Sequence, residues 1–312
     1  MAAGRRAMKV GLFVPHWEEP WNGRGLRWQD IAAMATTAEG VGFDSFWLPD
    51  HLIFRFEHVH AQGAWDAWSL LAGLAAMTTK MEIAPLVACA GFRNPALIAK
   101  MADTIDEISG GRFILGLGAG WHKPEYDGFG FPHDHRVSRF AEALQIICPL
   151  LREGNVDFQG TYYSARECEL RPRGPRPQGP PILIGGGGER MLRLTAQWAD
   201  QWNQDRKNDL DEVVALQDKV DAVCREVGRD PKTLGRVIGI QVDLPGFSRL
   251  PMRPRQFIVP PWPLAGEPEA LAAAIRAYQT RGRVDHLIVW LDPTSPAGVE
   301  AFAPVLAALD AG

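Results

Sequence analysis

The chain is poor in cysteine, with four residues in 312 and no CxxC pair among them. Cys89, Cys148, Cys168 and Cys224 stand far apart, with no secretory leader before them. They read as reduced thiols of a cytoplasmic protein, which argues against both a disulfide framework and a metal cluster. Long apolar runs are missing as well: none approaches the roughly 20 residues that a bilayer span requires. The N-terminal MAAGRRAMKV carries two arginines with no apolar segment behind them, so neither export nor membrane insertion is expected. Excess charge is small too. A formal net charge of −4 gives no electrostatic case for nucleic acid or an anionic membrane as partner. There is no short fixed repeat, which excludes solenoids and propellers. There is no Walker lysine, and no GxGxxG with an acidic residue about 20 positions on, so P-loop and Rossmann nucleotide binding fit poorly.

What the chain does have is alternation. Apolar runs at Met8 to Val14, Phe43 to Leu48, Met81 to Cys89 and Phe113 to Leu117 read as buried parallel strands. Between them lie amphipathic helices: one with Trp28, Ile31, Met34 and Ala35 inward, one capped by Asp66, and one capped by Asn94 with Leu97, Met101, Ile105 and Ile108 on its inner face. The count continues through a helix from Ser138 to Leu151, which Pro149 is expected to kink or end. It goes on through strands at Pro180 to Ile184, Ala199 to Asn203, Arg236 to Leu244 and Val284 to Leu291, and closes with a helix from Pro296 to Leu309. Eight β-α alternations predict an α/β fold, a (β/α)8 TIM barrel filling residues 8–312 as one domain. A β-hairpin insertion is expected around 155–173. A proline-rich loop around 245–264 has the character of a lid or binding element.

In such a barrel the chemistry sits on residues that follow the strands. His16, Trp17, Asp50 and His51 are placed there, as are the residues from Cys89 to Arg93 and from Gly118 to Tyr126. His51 is the leading proton donor or acceptor, because imidazole titrates near neutrality and Asp50 is adjacent. His122 and Glu125 could form a second acid/base pair, although surface charges of a loop are the simpler reading. His133 and His135 lack a third ligand at regular spacing, so no metal is expected. Gly185 to Gly188 open a helix, and four side-chain-free residues there suit a phosphate, to which Arg190 and Arg193 add charge. The chain has 11 tryptophans, and those at 17, 121 and 262 suggest a wide aromatic pocket for a flat, weakly charged substrate.

Several stretches together resemble the bacterial luciferase-like family of flavin and deazaflavin oxidoreductases: FWLPDHL, PLVACAGFRNPALIAK, GGRFILGLGAGWHKPEYDGFGFP, VDFQGTYY with ECELRP, and PILIGGGGERMLRLTAQWADQWN. The resemblance runs from Met8 to about Leu309. GLGAGWHKPEY with GFGFP is most similar to members that use coenzyme F420, a deazaflavin that passes a hydride and does not activate oxygen. It implies that His51 handles the substrate proton and that Asp50 lies beside the ring. It also implies a non-proline cis peptide at Leu86–Val87 behind the ring, contacts from Ala88, Cys89, Ala119, Gly120 and Trp121, and the cofactor phosphate at Gly185, Gly186, Gly187 and Gly188. Trp121 stands where sugar-phosphate members carry glutamate, which points away from a phosphorylated sugar. The expected function is F420-dependent hydride transfer to or from a small organic substrate. The alternative within the family is an FMN monooxygenase using O2 and reduced flavin from a separate reductase. Family habit implies a homodimer.

Overall fold

The computed structural model describes residues 6–18, 24–247 and 262–312. Nine parallel strand segments form its centre: β1 (Lys9–Phe13), β2 (Ser45–Leu48), β3 (Glu82–Pro85), β4 (Ala88–Cys89), β5 (Leu115–Gly118), β6 (Ile182–Gly185), β7 (Gln201–Gln204), β8 (Gly235–Asp243) and β9 (His286–Asp292). Hydrogen bonding runs in the order β3-β2-β1-β9-β8-β7-β6-β5-β4. Segments β3 and β4 are two halves of one barrel strand, separated by Leu86 and Val87, whose peptide bond is cis as the resemblance implied. A parallel bridge between Ile83 and Phe113, with Ile114 N–H donating to Ile83 O at 3.0 Å, closes the ring. The barrel therefore has eight strand positions, as expected for a TIM barrel with insertions.

The alternation of side chains across each strand divides the core. Phe13, Trp47, Ala84, Ile114, Leu183, Val237, Ile288 and Trp290 fill the barrel interior. Val10, Leu12, Phe46, Leu48, Ile83 and Leu115 face outward, where the helices cover them. Burying each large aliphatic or aromatic side chain stabilises by about 1.5–3 kcal/mol. At the lower end of the barrel, His286 shares a buried hydrogen bond of 2.7 Å with Ser45, which also accepts from Trp47 Nε1 at 2.6 Å.

The helices follow local signals: α1 (Trp28–Val41), α2 (Ala67–Met77), α3 (Pro95–Ser109), α4 (Lys123–Phe129), α5 (Arg136–Glu153), α6 (Glu189–Trp198), α7 (Leu210–Glu226), α8 (Pro268–Thr280), α9 (Pro296–Ala301) and α10 (Ala303–Ala311). Asp66 caps α2 through Ser69 N–H, Asn94 caps α3, and Gly110 ends α3 in the left-handed region. Several expectations are corrected. Leu97 and Ile108 are exposed at 51% and 44%, because α3 turns Ile98, Ala102 and Ile105 inward between α2 and α5. Trp28 is also exposed at 39%, its ring lying over Gly73 of α2 at the mouth of its own helix. Pro149 does not stop α5, since the buried Ile146, Ile147, Leu150 and Leu151 hold the turns on either side of its missing N–H. His135, not Ser138, is the N-cap of that helix. The last helix is divided at Phe302.

Residues Asn155–Gln159 and Ser164–Glu169 pair as an antiparallel hairpin, where the insertion was expected. A smaller hairpin, Ile53–Phe54 with Gln62–Gly63, had no clear sequence signal. Residues 248–261 of the proline-rich loop lie outside the described residues.

Candidate active site

The C-terminal strand ends open into a cavity of about 410 Å³. Val87, Gly185 to Gly188, His51, Phe13, Trp17, Phe54, Trp121 and Trp290 are among the residues that line it.

The glycines of β5 and just after it do not mainly clear space for a ligand. A Cβ on Gly116 would stand 2.1 Å from Pro85 O, and one on Gly118 would stand 2.7 Å from Val87 Cγ2. These positions admit the break between β3 and β4, so that Val87 projects toward the cavity between β5 and β6. Gly120, at φ +73°, leaves room for Tyr126 Oη, 2.0 Å from where its Cβ would be, and for Cys89 Sγ at 2.5 Å. Cys89 Sγ and Tyr126 Oη are 3.0 Å apart, and Tyr126 Oη donates to Ala119 O at 3.0 Å. Burial pushes the Cys89 thiol up to about 12 and raises Tyr126 as well, so both keep their protons at neutral pH.

Asp50 lines the cavity, yet its carboxylate is taken up elsewhere. Arg93 grips it with two hydrogen bonds, and Cys89 N–H donates to Oδ2 at 3.0 Å. The same guanidinium reaches Asp66 at 3.0 Å and lies over the Trp68 ring. Asp50 thus anchors β4 against the end of β2.

His51 is bonded through Nδ1 to Glu125 Oε2 at 2.9 Å, and its ring packs 4.2 Å from Phe54 between centroids. Glu125 is 1% exposed and accepts from Leu52 N–H at 2.6 Å and Ile53 N–H at 3.2 Å. The reading of Glu125 as a surface charge is therefore corrected: α4 begins after His122 and turns this side chain inward. The sequence signal for it was Pro124 in the first turn of a helix, followed by an acidic residue one place on. His122 is buried as well, with Nε2 accepting from Arg55 N–H at 3.0 Å and with burial lowering its basicity. It holds the small hairpin to α4. His16, 1% exposed, bonds Trp65 O, and burial depresses it to about 4.

Gly185 to Gly188 lead directly into α6, where Gly188 is the N-cap without a side-chain cap bond. The first-turn N–H groups have no intrahelical acceptor, and the helix end is electropositive. Gly186 has φ +139°, which resists a side chain, whereas a Cβ on Gly187 would only require the end of the Gln204 side chain, 2.6 Å away, to move aside. The arrangement fits a phosphate, and the cavity beyond it has the size of a site for a flat, drug-sized molecule. Arg193 turns away to Glu226 and Arg190 bonds Ser138 Oγ, whereas Arg136 and Arg206, not singled out in the sequence, line the cavity. Trp17 and Trp121 line it too. Trp262 is 69% exposed and is not among its described lining residues. Among the described residues no cluster of three or more His, Cys, Asp or Glu is arranged to hold a metal, and no helix is long and apolar enough to cross a membrane.

Comparison with known proteins agrees with this construction. The luciferase-like monooxygenase family model matches residues 8–244, and the chain belongs to that family, a group of flavin- or F420-dependent oxidoreductases. A pyrimidine monooxygenase RutA of Klebsiella pneumoniae subsp. pneumoniae is 32% identical over 217 residues, covering 62% of this chain and 56% of that protein. The RutA of Methylobacterium radiotolerans is 37% identical over 216 residues, covering 62% and 53%. The match thus spans about half the length of these relatives. Among solved structures, monooxygenase RslO1 from Streptomyces bottropensis superposes with a TM-score of 0.78 at 18% identity, covering 97% of this chain and 98% of that one. An F420-dependent secondary alcohol dehydrogenase in complex with an F420-acetone adduct gives 0.77 at 19%, covering 97% and 99%. At such identities the likeness is one of fold.

Proposed function

We propose that the protein is an FMN-dependent monooxygenase acting on a small, flat, weakly charged organic molecule, with the flavin phosphate at Gly185 to Gly188 and its ring against Val87. The observation that carries this reading is one cavity joining an anion-binding helix start to an aromatic wall that bears His51. The choice of FMN is supported by the relatives at 32–37% identity, which are named monooxygenases. Oxygen insertion requires a flavin that reacts with O2, which a deazaflavin does not. When bound and reduced, FMN supplies the electrons by which one atom of O2 enters the substrate and the other leaves as water.

The chain's own residues then have distinct tasks. Val87 and Cys89 would back the ring, Trp121 and Trp17 would orient the substrate, and the aromatic lining would exclude water. His51 holds or accepts the substrate proton. A separate reductase would supply reduced flavin, and a homodimer is the expected assembly. The relatives' name makes pyrimidines the first substrates to try.

A second reading, F420-dependent hydride transfer, is favoured by the GLGAGWHKPEY and GFGFP stretches around the site. The two are separated by supplying enzymatically reduced FMN under ¹⁸O₂ with uracil and related flat heterocycles. One ¹⁸O atom in a product supports monooxygenation. Turnover with reduced or oxidised F420 and no ¹⁸O incorporation overturns it.

A further inference from the structure

Glu125 is a buried carboxylate on the wall of a cavity, with both of its oxygens engaged. Its Oε1 takes two backbone N–H groups, from Leu52 and Ile53, and its Oε2 meets His51 Nδ1 at 2.9 Å. A carboxylate can only accept. The proton in the His51 contact therefore belongs to Nδ1, and in the neutral ring this leaves the lone pair on Nε2. Nδ1 is committed to α4, while the 18% of the His51 side chain left exposed lies at the cavity. The ring cannot readily swivel, because Phe54 lies 4.2 Å from it and Trp121 meets it edge-on at 5.8 Å, centroid to centroid.

We propose that Glu125 is a positioning residue that fixes His51 as the Nδ1–H tautomer and so presents Nε2 to the cavity as a proton acceptor. The proposal rests on the reading of His51 as the proton-handling residue. In it, Nε2 takes a proton from the substrate, and the imidazolium so formed is stabilised by Glu125 across the Nδ1–H bond. The proton afterwards returns to product or solvent. The other ionisable groups near this ring are His16, His122 and Asp50. The first two are kept neutral by burial, and Asp50 is neutralised by Arg93.

The test uses the tautomer itself. Glutamine at position 125 has one accepting end and one donating end. With its carbonyl kept on the Leu52 and Ile53 N–H groups, its NH₂ must donate to Nδ1, which moves the ring proton to Nε2. Two-bond ¹H–¹⁵N spectra of ¹⁵N-histidine-labelled protein at about pH 8.5, with His51 assigned from the His51→Asn variant, should show Nδ1–H in the native chain and Nε2–H in Glu125→Gln. In turnover, Glu125→Gln should lower kcat about 10²–10⁴-fold while leaving cofactor affinity within about twofold. Nε2–H in the native protein, or the same tautomer in both, overturns the proposal. If Glu125→Gln does not fold, the native spectrum alone decides. The spectra need no cofactor, so they stand whichever cofactor the site takes: a failed monooxygenase assay and a failed tautomer assignment are separate results.

Discussion

Arg93 holds Asp50 through both arms of its guanidinium, Nη1 to Oδ2 at 2.7 Å and Nη2 to Oδ1 at 3.0 Å. The carboxylate is fully buried and also accepts Cys89 N–H, so the pair ties the end of β2 to the displaced segment β4. Arg93→Met should leave that charge without its partner and cost about 3–5 kcal/mol. Urea unfolding monitored by tryptophan fluorescence measures this. A loss below about 0.5 kcal/mol would show that the pair does not anchor the site.

Gly120 and Gly188 should respond differently to alanine. At Gly120 the φ of +73° and the crowding by Tyr126 and Cys89 predict a loss of about 1–3 kcal/mol. At Gly188 the backbone is extended, with φ −70°, and no neighbour lies within 4 Å of an added Cβ, so stability should stay within about 0.5 kcal/mol. Thermal melts of the two variants decide. Equal effects would contradict the packing described for Gly120.

Burial depresses His16 to about 4 and His286 to about 3, below the unfolded value near 6.5. For a lowered pKa the unfolded chain binds the proton first. The stability is therefore fully present above about pH 6.5 and is lost as pH falls toward 4 and then 3, at up to about 1.4 kcal/mol per pH unit for each group. Urea midpoints between pH 7.5 and 4.5 should fall for the native chain and fall less for His286→Asn. A slope unaltered by that substitution would remove His286 from the account.

Trp121 is half exposed, edge-on to His51 at 5.8 Å and stacked near Phe56 at 6.4 Å. An aromatic contact of about 0.5–1.5 kcal/mol predicts that Trp121→Ala raises KM for a flat substrate about 2- to 12-fold. Steady-state kinetics with saturating flavin gives the value. An unchanged KM would place the substrate elsewhere in the cavity.

The barrel was legible because its signals are local and repeated: apolar strand runs, Asp66 and Asn94 as caps, Gly110 as a stop. The helix faces were less so. Leu97 and Ile98 are both apolar, and only the neighbours α2 and α5 decide which one turns inward. Within the site, His51 and the glycine run were visible because each follows a strand. Glu125 fell within the candidate stretch, but its burial and its pairing with His51 were not legible, since they depend on backbone N–H groups of Leu52 and Ile53 more than 70 residues earlier in the chain. At Gly118 and Gly120, what comes close is the chain itself: Val87 at the first, Cys89 and Tyr126 at the second.

The account stands or falls on which cofactor the cavity takes. Equilibrium titration of the purified protein with FMN, reduced FMN and F420, followed by fluorescence quenching and anaerobic absorbance, reads it directly. The monooxygenase account predicts saturable micromolar binding of FMN in at least one redox state and F420 binding at least tenfold weaker. Tight F420 binding with no FMN binding in either state would contradict it.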